Sequence, residues 1–164
     1  MTESDGPVTA ATGLYFDDFE IGQKWVTPGR TITEVDIVNF AGFSGDYMPV
    51  HTDAEYASRT PFGQRIMHGP GAFAITTGLW TRLGINVDTA IAFLEFTCTL
   101  RAPVFIGDTI RLEMTVADLR PSNSKPDRGI VTFECNALKQ DDTVCQSGRW
   151  TLMFWRRPGT FEQF

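Results

Sequence analysis

Asp46 and His51 stand five residues apart in "GDYMPVHTDAEYA" (45–57), with Pro49 between them, in a chain that has only two histidines. A carboxylate and an imidazole that converge on one water can take a proton from it and deliver a proton to a reacting carbon. Such general acid–base catalysis contributes about 10²–10⁴-fold. Each residue alone has a plainer reading, since Gly-Asp is a common turn pair and His51 could be a loop histidine. What sharpens the pair is "HGPG" (68–71), which opens an apolar stretch a short distance on. A helix start offers free N–H groups and a partial positive charge, suited to an oxygen that becomes negative during reaction. Pro70 has no N–H to offer, but glycines at 69 and 71 let a ligand approach the backbone closely.

The elements that must carry these residues are legible from periodicity. "LYFDDFEIGQKWVTPGRTI" turns at Gly22 and predicts a strand from Trp25 to Ile32. "TEVDIVNFAGFSG" predicts a short helix, with Thr33 as N-cap, Asp36 three residues on, and an apolar stripe of Val35, Val38, Phe40 and Ala41. Gly42 and Gly45 end it. A second helical turn is expected from Thr52 or Asp53 through Ala57. "GPGAFAITTGLWTRLG" predicts a helix with Pro70 at its first position and Gly84 as its cap. Arg82 is its only charge, so it is expected to be buried on most sides.

From Ala90 onward the period changes to two. Ala92, Leu94, Phe96, Cys98 and Leu100 share one face of a strand. Ile110–Val116, Val131–Ala137 and Trp150–Phe154 alternate likewise, separated by "APVFIGD", "RPSNSKPDRG" and "KQDDT". Four such strands predict an antiparallel meander curved around the apolar helix, an α+β fold. Residues 1–12 read as a flexible polar tail rather than a signal peptide, and 13–164 as one domain.

Bulk properties exclude several classes. At 164 residues the chain can bury a core without disulfides. A net charge of −6 with dispersed Lys and Arg argues against a nucleic-acid partner. No apolar run approaches the roughly 18 residues that cross a bilayer. Cys98, Cys135 and Cys145 lack metal-ligand spacing, sit in strand-like runs, and read as small buried hydrophobes. No metal or redox cofactor is expected, and a cytoplasmic location is.

"FSGDYMPVHTDAEYA", "GQRIMHGPG" and "LRAPVFIGDTI", in this order and spacing, resemble the MaoC-like acyl-CoA dehydratases, also called (R)-specific enoyl-CoA hydratases, of the hot-dog fold. The resemblance runs from about Phe16 to Pro158. It implies an antiparallel sheet wrapped around a long central helix, homodimers or higher homo-oligomers, and reversible syn addition of water to a trans-2-enoyl thioester. Acyl-CoA is then the substrate, water the co-substrate, and no cofactor takes part. Asp46 and His51 fall on the catalytic positions, Gly69 on the backbone N–H that receives the thioester oxygen, and Thr77 on a helix hydroxyl near the pair. Thr77 is equally readable as a core hydroxyl bonded to its own helix. Ser44, Met48 and His68 are supporting residues, His68 by holding the turn before the helix. The chain departs from the family at Met48, where Asn is usual. Two alternatives stand beside the hydratase: a hot-dog thioesterase, disfavoured because no Asp or Glu lies between Gly69 and Gly84, and a degenerate acyl-CoA-binding subunit. Dimerisation is also expected because a lone sheet would leave apolar residues such as Trp150 or Trp155 open to solvent.

Overall fold

The computed structural model describes residues 13–158; the N-terminal tail expected at 1–12 lies outside the described residues. After a short 3-10 turn (Phe16–Asp18) come β1 (Lys24–Val26) and β2 (Arg30–Thr31), then four helices. These are α1 (Glu34–Ser44), α2 (Pro49–Thr52), α3 (Ala54–Ser58) and α4 (Gly69–Thr81). The chain closes with β3 (Ala90–Phe96), β4 (Thr99–Leu100), β5 (Thr109–Pro121), β6 (Arg128–Leu138) and β7 (Val144–Trp155). The expected strand from Trp25 to Ile32 is thus two short strands, both paired with β5.

The sheet is antiparallel with spatial order β1-β5-β6-β7-β3. Only β5, β6 and β7 form the predicted meander; β3 joins on the far side of β7 instead of beside β5. The alternation in β5 does what its period implies. Ile110, Leu112, Met114 and Val116 are all buried, and Val131, Phe133, Cys135, Trp150, Leu152 and Phe154 line the same interior. Trp80 of α4 packs into this cluster, while Ala72 and Leu79 join Ile32, Ile37, Met67, Val104 and Ile110 in a second one.

Several expectations need correction. In β3 the register shifts twice, between Ala90 and Ala92 and between Phe93 and Glu95, so Ala92, Leu94 and Phe96 do not share a buried face. Leu94, Phe96 and Leu100 are exposed instead, and Cys98 falls in the break between β3 and β4. Trp150 is buried in the core, and it is the β3 side chains that meet solvent. The buried face of α1 is Ile37 and Ala41, while Val35 and Val38 are 63% and 58% exposed. Positions 37 and 41 are four apart and point toward α4 and the sheet, whereas 35 and 38 point outward. Finally, α4 is covered on one side only. Gly71, Ala72, Thr76, Leu79 and Trp80 are buried, yet Ala74, Gly78 and Thr81 are open, because one sheet can wrap only one face.

Candidate active site

The turn that carries Asp46 is built by the end of α1. Ser44 Oγ donates to the Phe40 carbonyl (2.7 Å) and accepts from the Asp46 N–H (3.1 Å). Gly45 between them adopts φ +77°, a left-handed conformation that glycine enters without strain, and its N–H closes on Ala41. The carboxylate then caps the next segment: Oδ1 accepts the Met48 N–H at 3.2 Å. Among the described residues Oδ2 has no partner.

Pro49 starts α2, where its missing N–H costs nothing, and His51 follows two residues later. The helical turn expected from Thr52 or Asp53 is α3, with Asp53 as its N-cap; α2 is an additional turn before it, and it carries His51, which is 8% exposed. Its Nδ1 lies 2.8 Å from the Ile66 carbonyl. A carbonyl can only accept, so Nδ1 carries the proton and Nε2 keeps the lone pair of a base. Ile66 is itself fixed by a bridge to Phe105.

His68 caps α4 and is 1% exposed. Its ring stacks on His51, with centroids 3.8 Å apart and planes at 26°, and its other neighbour is the Phe40 ring at 4.9 Å. Its Nε2 is 3.0 Å from the Asp46 carbonyl. Burial pushes the His68 pKa below the ordinary imidazole value and the nearby His51 adds to this, outweighing the opposite pull of Asp46. Ligand-type atoms of Asp46, His51 and His68 lie within 4.8 Å of one another. Two imidazoles and a carboxylate held this close are groups that can pass a proton among themselves and a bound water.

Gly69 is the first residue of α4, and its N–H has no partner among the described residues. A Cβ there would sit 2.5 Å from Leu100 Cδ1, so a larger residue would have to push that exposed side chain aside. The Gly69 carbonyl accepts from Gln146 Nε2 at 2.9 Å, tying the helix start to β7. A cavity of about 420 Å³ opens beside this residue. Met48, His51, Ile66 and Gly69 form one wall, and Leu100, Gln146 and the loop Arg101–Val104 form the other. A groove of about 470 Å³ between α1 and α4 is lined by Phe40, Phe43, Ala74 and Gly78, and its single carboxylate, Asp36, is tied to Arg30 and Thr33. It contains no member of the acid–base cluster.

The structure thus brings together Asp46, His51, His68 and Gly69, with Ser44 shaping the turn and Met48 at the cavity wall. It does not bring Thr77 to them. Eight residues along the helix from Gly69 is about 12 Å of axial rise, and the Thr77 hydroxyl donates to Ala74 of its own helix at 2.7 Å. Sequence reasoning missed Gln146 and the Ile66 carbonyl. Alternation along β7 gives Gln146 no inward signal, because Cys145 and Gln146 are buried in succession where the pairing with β6 slips.

A helix held against a curved antiparallel sheet is the hot-dog arrangement, and here a carboxylate and two imidazoles cluster at the helix's amino end. The sequence model described as MaoC like domain matches residues 18–135. The chain is 39% identical over 144 residues to the (R)-specific enoyl-CoA hydratase of Rhodospirillum rubrum, covering 85% of this chain and 90% of that one. It is 38% identical over 113 residues to the 3-hydroxybutyryl-CoA dehydratase of Methylorubrum extorquens, covering 68% and 69%. The crystal structure of the MaoC-like dehydratase from Rhodospirillum rubrum superposes with a TM-score of 0.81 at 31% identity, over 89% of this chain and 99% of that one. The chain belongs to the MaoC-like dehydratase family and is a hydro-lyase of the hot-dog fold.

Proposed function

We propose that the protein reversibly adds water to a trans-2-enoyl-CoA to give an (R)-3-hydroxyacyl-CoA. The observation that carries this is the state of His51: with Nδ1–H given to Ile66, Nε2 is left as a base beside the Asp46 carboxylate, on the wall of a largely apolar cavity. Water between the two groups loses a proton as its oxygen attacks Cβ. A proton then passes to Cα on the same face, and the pair returns to its starting state. Charge that develops on the thioester oxygen is met by the Gly69 N–H and the positive end of α4.

Met48 is compatible with this. What reaches the Asp46 carboxylate from that position is a main-chain N–H, which Met supplies as well as Asn. A thioesterase reading lacks a carboxylate on α4 to activate water against the carbonyl carbon. The reaction belongs in the cytoplasm, in line with cysteines that are unpaired among the described residues. The functional unit is a homodimer or larger homo-oligomer. β3 is the last strand on its side of the sheet, with Leu94 47% and Phe96 52% exposed, and α4 is open at Ala74 and Gly78. The test is to incubate purified protein with a series of enoyl-CoAs and follow loss of the conjugated thioester absorbance, with chiral analysis of the product. Release of free coenzyme A without a 3-hydroxyacyl product would favour the thioesterase, and no turnover of any chain length would favour a non-catalytic subunit.

A further inference from the structure

His68 is buried more deeply than either catalytic side chain, and its contacts are unusual for a residue that merely caps a helix. Its ring lies between Phe40 of α1 and His51 of α2, and its Nε2 reaches back 22 residues to the Asp46 main chain. It is therefore one side chain in contact with both halves of the proton-transfer pair.

We infer that His68 is the positioning residue of the reaction, an uncharged imidazole that fixes the Asp46 backbone through Nε2–H and the His51 ring through stacking. This rests on the hydratase reading and adds a role that the pair cannot fill for itself. Asp46 is held on its own side only by turn contacts to Ser44 and Met48, and α2 is a single helical turn. Neither element is long enough to be rigid alone.

The tautomer follows from the acceptor. The Asp46 carbonyl cannot donate, so Nε2 carries the hydrogen, and Nδ1 is left as a bare lone pair. Nδ1 is buried with no hydrogen-bond partner. An imidazolium would put an N–H donor there with nothing to accept it, and would set a second charge against the ring of His51 3.8 Å away. The groups around His68 are the His51 ring from α2, the Asp46 carboxylate and carbonyl from the preceding turn, and the apolar Phe40 ring from α1. Charge on His51 during turnover is thus tolerated by a neutral neighbour. The orphaned Nδ1 is a cost that a purely structural cap would not need, since an amide or hydroxyl side chain caps helices well.

The experiment separates the ring from its hydrogen. His68→Phe keeps a planar ring between Phe40 and His51 and removes Nε2–H, while His68→Gln restores an N–H₂ at about the same reach without the ring. His68→Phe is expected to lower kcat by about 10–100-fold, as displacement of a catalytic group by a fraction of an ångström does. KM should change by less than about threefold, with the thermal midpoint near that of the unaltered protein. His68→Gln is expected to recover part of kcat but not all of it, because it restores the N–H and not the ring stacked on His51. A kcat for His68→Phe equal to the original would overturn the inference, as would His68→Gln falling as low as His68→Phe. Should either variant fail to fold, long-range ¹⁵N spectra of the unaltered protein decide. They are expected to show His68 as the Nε2–H tautomer, uncharged at pH values where an ordinary imidazole of pKa about 6.5 is half protonated. An Nδ1–H tautomer, or titration at the ordinary value, would overturn it. These spectra need no substrate, so they distinguish failure of this inference from failure of the hydratase reading.

Discussion

Replacing Lys139 by Met removes one charge from a buried pair. Lys139 Nζ is 2.7 Å from Asp108 Oδ2, and the residues are 8% and 9% exposed. Burial alone would raise the Asp108 pKa. The Lys139 ammonium, the Phe105 N–H and the Gln140 amide outweigh it and hold the carboxyl below its ordinary value of 3.8. Breaking a buried pair from one side costs about 3–5 kcal/mol. Here Asp108 keeps hydrogen bonds from Phe105 N–H (2.8 Å) and Gln140 Nε2 (3.1 Å), and Met preserves the packing of the lysine stem. We therefore expect a loss of about 2–3 kcal/mol, at the low end of that range. In urea unfolding at fixed protomer concentration this lowers the midpoint by about 1–1.5 M for a slope near 2 kcal/mol per molar. Adding Asp108→Asn should restore part of the loss, because the stranded charge is gone. The pH dependence has a definite sign. A depressed carboxyl pKa gives stability that is present above pH 3.8 and lost as pH falls through the folded-state value. The Lys139→Met protein should accordingly lack part of the acid-induced loss seen in the original below pH 3.8. A midpoint within about 0.25 M of the original, or strictly additive single and double variants, would refute the reasoning.

Asp46→Asn and His51→Gln should each lower kcat by several orders of magnitude, and the double variant should be little worse, because the two act on one water. A fall of less than tenfold in either single variant would remove the pair from the mechanism. Met48→Asn should change kcat/KM by less than about tenfold, or 1.4 kcal/mol, since only its main chain meets Asp46; steady-state kinetics on the best enoyl-CoA measures this. Sedimentation at micromolar concentration should give at least a dimer, and Leu94→Lys on the exposed edge of β3 should shift it toward monomer.

How much of this was legible beforehand divides along physical lines. The period-two pattern of β5, β6 and β7 and the apolar run of α4 identified those elements, because burial on one face leaves a regular trace. The trace fails where geometry is irregular. β3 breaks register twice and leaves its apolar residues from Phe93 to Phe96 exposed, and in α1 the stripe read from Val35, Val38, Phe40 and Ala41 is buried only at Ala41, with Ile37 beside it. Asp46, His51 and Gly69 could be picked out because motif spacing survives without a structure. Gln146 and the Ile66 carbonyl could not. One is a lone polar residue at a slipped register and the other is a backbone atom, whose identity no side chain announces.

The strand order has a consequence for how this chain comes into being. β3 pairs with β7, which is made some fifty residues later in the sequence. Until Val144–Trp155 emerges, Phe93, Leu94 and Phe96 have no sheet to join, and the amino end of α4 lacks its tie to Gln146. The nascent protein therefore carries an unpaired apolar strand until those fifty residues have been made, the kind of intermediate that recruits chaperones and invites aggregation. Loops this long must close before their contacts stabilise anything, so folding should be slow and nearly all-or-none. Premature termination anywhere before β7 then yields a chain without a complete catalytic cavity, however intact its Asp46 and His51.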